Sequence, residues 1–108
     1  MKLWIDDIRP APEGYIWCTS VNIAIGIIES VEQTCFTYYD VRDEDIISII
    51  DIDHDAGDFA CDGGDYIKLL DWLEETGRNY PIRIHSQNPV GAQNMRRIIE
   101  RNGWKEIK

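Results

Sequence analysis

The stretch "SIIDIDHDAGD", residues 48–58, begins as an apolar strand and then sets acids and a histidine where the apolar run would otherwise continue. Two kinds of chemistry use Asp53, His54 and Asp55 side by side. Carboxylates within reach of one another repel unless they share a proton or a divalent cation, and an oxygen-only donor set suits Mg2+. An imidazole titrates near neutral pH and can carry a proton to or from a reacting group, with a carboxylate such as Asp55 fixing its tautomer. The same residue types recur as Asp6 and Asp7 in "WIDD", as His85 and Ser86 in "RIHS", and as Asn88 two positions later. Asp6, Asp7 and Asp53 are the candidate metal ligands. His54 and His85, the 2 histidines of the chain, are the candidate acid and base for cleaving a phosphodiester or cyclic phosphate. That reaction needs one group to activate water and another to protonate the leaving oxygen. The two chemistries are compatible.

Each of these residues follows a run that reads as a strand. "KLWI" ends at Asp6, "CFTYYDV" (35–41) is rich in aromatic and β-branched residues, "ISIIDID" (47–53) ends at Asp53, and "YPIRIHS" (80–86) contains His85. Between them lie segments of helical period. A loop with Pro10, Pro12 and Gly14 leads to Thr19 or Ser20 as the cap of a helix whose Val21, Ala24, Ile25, Ile28 and Val31 share a face. A second helix starts at Asp65, with Tyr66, Ile67, Leu70 and Leu73 as its stripe and Gly77 as its stop. Asn88 and Pro89 are the cap and first residue of a third, which runs through Met95, Ile98 and Ile99 to Gly103. "WKEIK" is a candidate edge strand.

This alternation predicts one α/β domain over residues 1–108, with a mainly parallel sheet of four to five strands. In an open parallel sheet all strand C-termini share one edge, and ligands bind there where the strand order reverses. The acids and histidines should therefore meet in space. The helix that starts at Asn88 directs free N–H groups at the same edge, where they could hold a phosphate. The loop from Ala56 to Gly64 is long and polar enough for a lid or ligand loop. Asp51 shares a strand face with Asp53 and Asp55 by the period of two, where burial would be costly, and its partner is not identified from the sequence.

Composition narrows the partners. A chain of 108 residues that is 44% hydrophobic supports a single core. A net charge of -9 argues against sequence-independent binding along DNA or RNA, so an anionic ligand must be held locally. Arg96, Arg97, Arg101, Lys105 and Lys108 complement the C-terminal end of the last helix. No apolar run reaches the roughly 18 residues of a membrane span, and acids interrupt the start where a signal peptide needs its apolar centre. The expectation is a cytoplasmic protein that does not engage membranes. Its 3 cysteines lack metal-ligand spacing and are expected to be reduced thiols.

Two acids after the first strand, an aspartate after the third and a hydroxyl after the fourth resemble the receiver domain of two-component signalling. There three acids bind Mg2+ and the last is phosphorylated. The lysine-proline that ends a fifth strand in that pattern has no counterpart here, since "SQNP" follows His85. The sequence is more closely similar to the cyclic-phosphate processing receiver domain family. The similarity rests on "LWIDDIRPAPEGYIW" (3–17), "IDHDAG" (52–57), "GDYIKLLDWLEE" (64–75) and "IHSQNPVGAQNM" (84–95). It implies a truncated receiver-like, flavodoxin-like three-layer α/β sandwich. It also implies a role in processing a cyclic or terminal phosphate of a nucleotide or RNA; Mg2+ as cofactor is what the acid cluster and the wider receiver pattern imply. The implied site comprises Asp6, Asp7, Arg9, Asp53, His54, Asp55, His85, Ser86 and Asn88, with Arg9 as a bidentate clamp on phosphate oxygens beside Ser86 and Asn88. The alternative is a non-catalytic receiver-like module that senses a nucleotide or docks a partner.

Overall fold

A computed structural model of the chain describes residues 1–37 and 42–108. Among these residues four short strands, β1 (Lys2–Ile5), β2 (Tyr15–Cys18), β3 (Ile49–Ile52) and β4 (Ile82–Ile84), form one parallel sheet in the order β2-β1-β3-β4. Among the described residues three α-helices, α1 (Val21–Thr37), α2 (Ile67–Glu75) and α3 (Pro89–Asn102), follow β2, β3 and β4. Trp4 pairs with Trp17 on one side and Asp51 on the other, and Asp51 pairs with Arg83. Residues paired in this way share a face of the sheet. Leu3, Ile5, Cys18, Ile50, Ile52 and Ile82 form one face, fully buried against Ala24 and Ile28 of α1, Leu69, Leu70 and Leu73 of α2, and Met95 and Ile99 of α3. Complete burial of each large apolar side chain contributes roughly 1.5–3 kcal/mol.

The opposite face carries Lys2, Trp4, Tyr15, Trp17, Asp51 and Arg83. Steps from β2 to β3 and from β3 to β4 run in the same direction, so right-handed crossovers place α1 and α2 on one side of the sheet. The step from β1 to β2 runs the other way, which carries residues 6–14 over the opposite face. Trp4 lies beneath them, its indole N–H donating to the carbonyl of Arg9 at 2.8 Å. The truncated receiver-like α/β fold thus has a complete helical layer, while its third layer is reduced to this connection.

Three details differ from the sequence reading. The second strand is β2 rather than residues 35–41: α1 continues through Cys35 to Thr37, and residues 38–41 lie outside the described residues. The apolar face of α1 outweighs the β-propensity of "CFT", as tertiary packing commonly does. "WKEIK" makes a single bridge, Glu106 to Ile82, rather than a strand. In α2, Leu69 is fully buried and Ile67 only half-buried.

The caps follow the sequence closely. The Ser20 hydroxyl accepts from the Ile23 N–H at 3.1 Å and donates to Asp62 at 2.7 Å. Asn88 caps α3 by accepting from the Gly91 N–H at 3.0 Å, and Gly103 ends it in the left-handed conformation. Much of the C-terminal basic charge is neutralised locally, since Arg96 bonds Glu106 and Arg101 bonds Glu74. Among the described residues no helix is long and apolar enough to cross a membrane.

Candidate functional site

The strand order reverses between β1 and β3, and an open pocket of about 340 Å³ lies at that point on the C-terminal edge. Asp7 and Arg9 line it from the β1–β2 connection, Asp53 and Asp55 from the end of β3, and Ser86 and Asn88 from the turn into α3. Ile8, which is 79% exposed, adds an apolar wall absent from the sequence reading. The remaining three residues expected there, Asp6, His54 and His85, stand behind the lining rather than in it.

Carboxylate oxygens of Asp6, Asp7 and Asp53 lie within 4.8 Å of one another. Their environments differ. Asp6 is buried, and burial alone would raise its pKa. The N–H groups of Ile8 and Arg9, each 2.9 Å from Oδ1, and the His85 ring more than offset burial and hold it below the ordinary carboxylate value. Asp7 is shifted the other way, by burial first and then by the charges of Asp6 and Asp53. Asp53 is oriented by the His54 N–H, which donates to its Oδ1 at 2.8 Å. Gly57 passes so close to Asp7 that a Cβ there would lie 2.4 Å from Oδ2, and its φ of 55° also favours glycine. An oxygen-only set with two partly exposed carboxylates and a raised Asp7 fits a hard divalent cation such as Mg2+.

The two histidines take different positions. His54 Nδ1 bonds Asp55 Oδ1 at 2.8 Å, and the ring packs against the first turn of α3, where a Cβ on Gly91 would be 2.4 Å from Cγ. The His85 side chain is 7% exposed, and both its nitrogens are engaged: Nδ1 with Asp51 at 2.6 Å and Nε2 with Asp6 at 2.9 Å. Its ring lies flat on Trp4, centroids 3.9 Å apart and planes 5° from parallel. The expected acid and base pair therefore divides into one histidine beside the pocket and one locked beneath it. Asp51, which the sequence left without a partner, is bonded to His85 and to Arg83 at 3.0 Å.

Groups suited to an anion line the same pocket as the acids, and Arg9 Nε lies 3.8 Å from Asp6 Oδ2. The Arg9 side chain is 44% exposed and reaches the carbonyl of His85 at 3.4 Å. The Ser86 hydroxyl accepts from the Asn88 N–H at 3.0 Å, so its own proton is available to a ligand oxygen. Within α3, Pro89 has no N–H and that of Gly91 is taken by Asn88, which leaves the Val90 N–H as the remaining donor of the turn that follows the pocket residue Asn88. The segment from Ala56 to Gly64 contains a 3₁₀ turn, Gly57–Cys61. It is tied at one end by the Ala56 N–H to Asp65 at 3.1 Å, and at the other by Asp62 to Ser20 and Asn22.

A family model described as cyclic-phosphate processing receiver domain matches residues 1–101 of this chain. No curated protein and no solved structure matches it.

Proposed function

The chain belongs to the cyclic-phosphate processing receiver domain family, and from that membership we propose that it is a small phosphoesterase acting on a cyclic or terminal phosphate of a nucleotide or RNA. One observation carries this reading: Asp7 and Asp53, two of the three carboxylates within 4.8 Å, line the same pocket as Arg9, Ser86 and Asn88, the N-cap of α3, with Asp6 directly behind them. A pocket lined by both acids and anion donors suits a phosphate held through a divalent cation. Mg2+, when bound by Asp7 and Asp53 with the remaining lone pair of Asp6, would polarise the phosphoryl oxygens and offset their charge.

The chain's own groups divide the rest of the work. Arg9 binds phosphate oxygens with two parallel N–H groups, and Ser86 and the Val90 N–H orient a third. Asp55 fixes the tautomer of His54 by accepting from Nδ1, which leaves Nε2 to take a proton. In hydrolysis of a cyclic phosphate, the oxygen of water bonds to phosphorus and one ring P–O bond breaks. His54 receives the proton from water and returns it to the released sugar oxygen. His85, with both nitrogens bonded to carboxylates, serves the site by holding Asp6. The net charge of -9 confines nucleic-acid contact to the end being processed.

A second reading, a module that binds the phosphate without turning it over, is favoured by the location of both imidazoles behind the pocket lining. Phosphorus NMR with a panel of 2′,3′-cyclic nucleotides and a cyclic-phosphate-ended RNA, with and without Mg2+, separates the two. A product resonance that a His54→Ala variant abolishes supports the phosphoesterase. A saturable shift without product supports the binding module, and unchanged spectra contradict both.

A further inference from the structure

We propose that Asp51 is a positioning residue of this site, acting through His85 on Asp6. The inference rests on the reading of Asp6 as part of the phosphate site, and extends it to a residue that touches neither ligand nor pocket. Asp51 is fully buried in β3, between Trp4 and Arg83 of the flanking strands, where a carboxylate is costly unless paired. Its pairing is continuous: Arg83 Nη1 at 3.0 Å on Oδ2, His85 Nδ1 at 2.6 Å on Oδ1, and then His85 Nε2 at 2.9 Å from Asp6. Register makes this chain possible. Trp4, Asp51 and Arg83 are neighbours across β1, β3 and β4 on one sheet face, and His85 returns to that face two residues after Arg83.

Trp4 fixes the plane of the imidazole by stacking on it, and Asp51 fixes which edge faces Asp6. Asp6 in turn has little freedom. Oδ1 accepts the N–H groups of Ile8 and Arg9, and Oδ2 accepts His85 with Arg9 Nε 3.8 Å away, so that at most one of about four lone-pair positions is open to a cation. Asp6 is thus the hub that turns the chain from β1 toward Arg9. Loss of Asp51 frees the imidazole, and a freed imidazole releases both the Asp6 carboxylate and the turn that presents Arg9. This is the arrangement by which outer partners orient inner ligands.

The test is Asp51→Asn in the full chain, read by amide hydrogen exchange without metal and by titration with MgCl2 alone. Faster exchange at Ile8 and Arg9, with Leu3 and Ile50 in the core unchanged, is the expected result. Mg2+ affinity should fall by about tenfold or more. A folded variant in which Ile8 and Arg9 exchange as in the wild type overturns the inference, whatever its response to Mg2+. A wild type that ignores Mg2+, beside a variant that selectively opens Ile8 and Arg9, supports the inference and contradicts the metal reading. Should Asp51→Asn fail to fold, the wild-type ring decides. A His85 Nδ1–H signal protected from exchange is expected, and one that exchanges freely with water overturns the proposal.

Discussion

Replacement of Gly91 by alanine tests whether the His54 ring is held against α3. The added methyl would stand 2.4, 2.5 and 2.8 Å from Cγ, Cδ2 and Nδ1 of that ring, so the imidazole or the helix must move. Overpacking of this kind costs about 1–3 kcal/mol. The exchange of Gly for Ala within a helix returns up to ~1 kcal/mol, and less in a first turn. The net expectation is a destabilisation of roughly 1–2 kcal/mol, the difference of those two effects. Gly26 in the middle of α1 is the control, because a Cβ there meets nothing within 4 Å. Gly26→Ala should stabilise by about 1 kcal/mol. Urea unfolding at constant slope measures both. In a His54→Ala background the overpacking should vanish while the helix gain remains, giving a coupling of about 1–3 kcal/mol in the double-mutant cycle. Stabilisation by Gly91→Ala equal to that by Gly26→Ala would refute the packing, and with it the placement of His54 beside the pocket.

Three further outcomes follow from the same contacts. Asp7 has a pKa raised by burial and by Asp6 and Asp53. Such a group favours folding below its unfolded pKa, and that contribution is lost as pH rises through the higher folded value. Asp7→Asn should therefore raise the melting temperature of the metal-free protein at neutral pH and abolish stabilisation by Mg2+, with the metal-free difference shrinking toward pH 4; a lower neutral-pH melting temperature contradicts this. Glu32 is held below the ordinary carboxylate value, because Arg78 and Tyr80 outweigh its burial. Its contribution is present above the unfolded pKa and lost as pH falls through the folded one, so Arg78→Ala should cost about 1–2 kcal/mol at neutral pH, including the contact of Arg78 with Trp72, and less in acid. Ser20→Ala removes the α1 cap and should cost about 1 kcal/mol in urea unfolding without altering the response to Mg2+.

Much of this arrangement was legible in the sequence. Asp6, Asp53 and His85 each follow an apolar run, and a parallel sheet brings such positions to one edge whatever the strand order. Asn88-Pro89 and Gly103 marked the ends of α3 because their backbone chemistry admits few alternatives. β2 was not legible: "YIWC" is four residues between a glycine turn and a helix cap, too short to show a period. The helix over "CFT" was missed because burial of one face of α1 overrides local preference. The division between the two histidines depends on cross-strand register, which sets Trp4 beside Asp51 and Asp51 beside Arg83 and is not encoded in spacing. One signal was present: an aspartate inside "IIDI" requires a buried partner, and His85 and Arg83 were the nearby candidates in a neighbouring strand.

The most direct measurement of the central claim, that a divalent cation and a phosphate meet in the pocket between β1 and β3, uses Mn2+ as a paramagnetic stand-in for Mg2+. The phosphorus resonance of a 2′,3′-cyclic nucleotide is recorded with the wild type and with Asp53→Asn. Strong broadening in the wild type, reversed by excess Mg2+ and absent in Asp53→Asn, is the predicted result. Equal broadening with both proteins, or none with either, would contradict it.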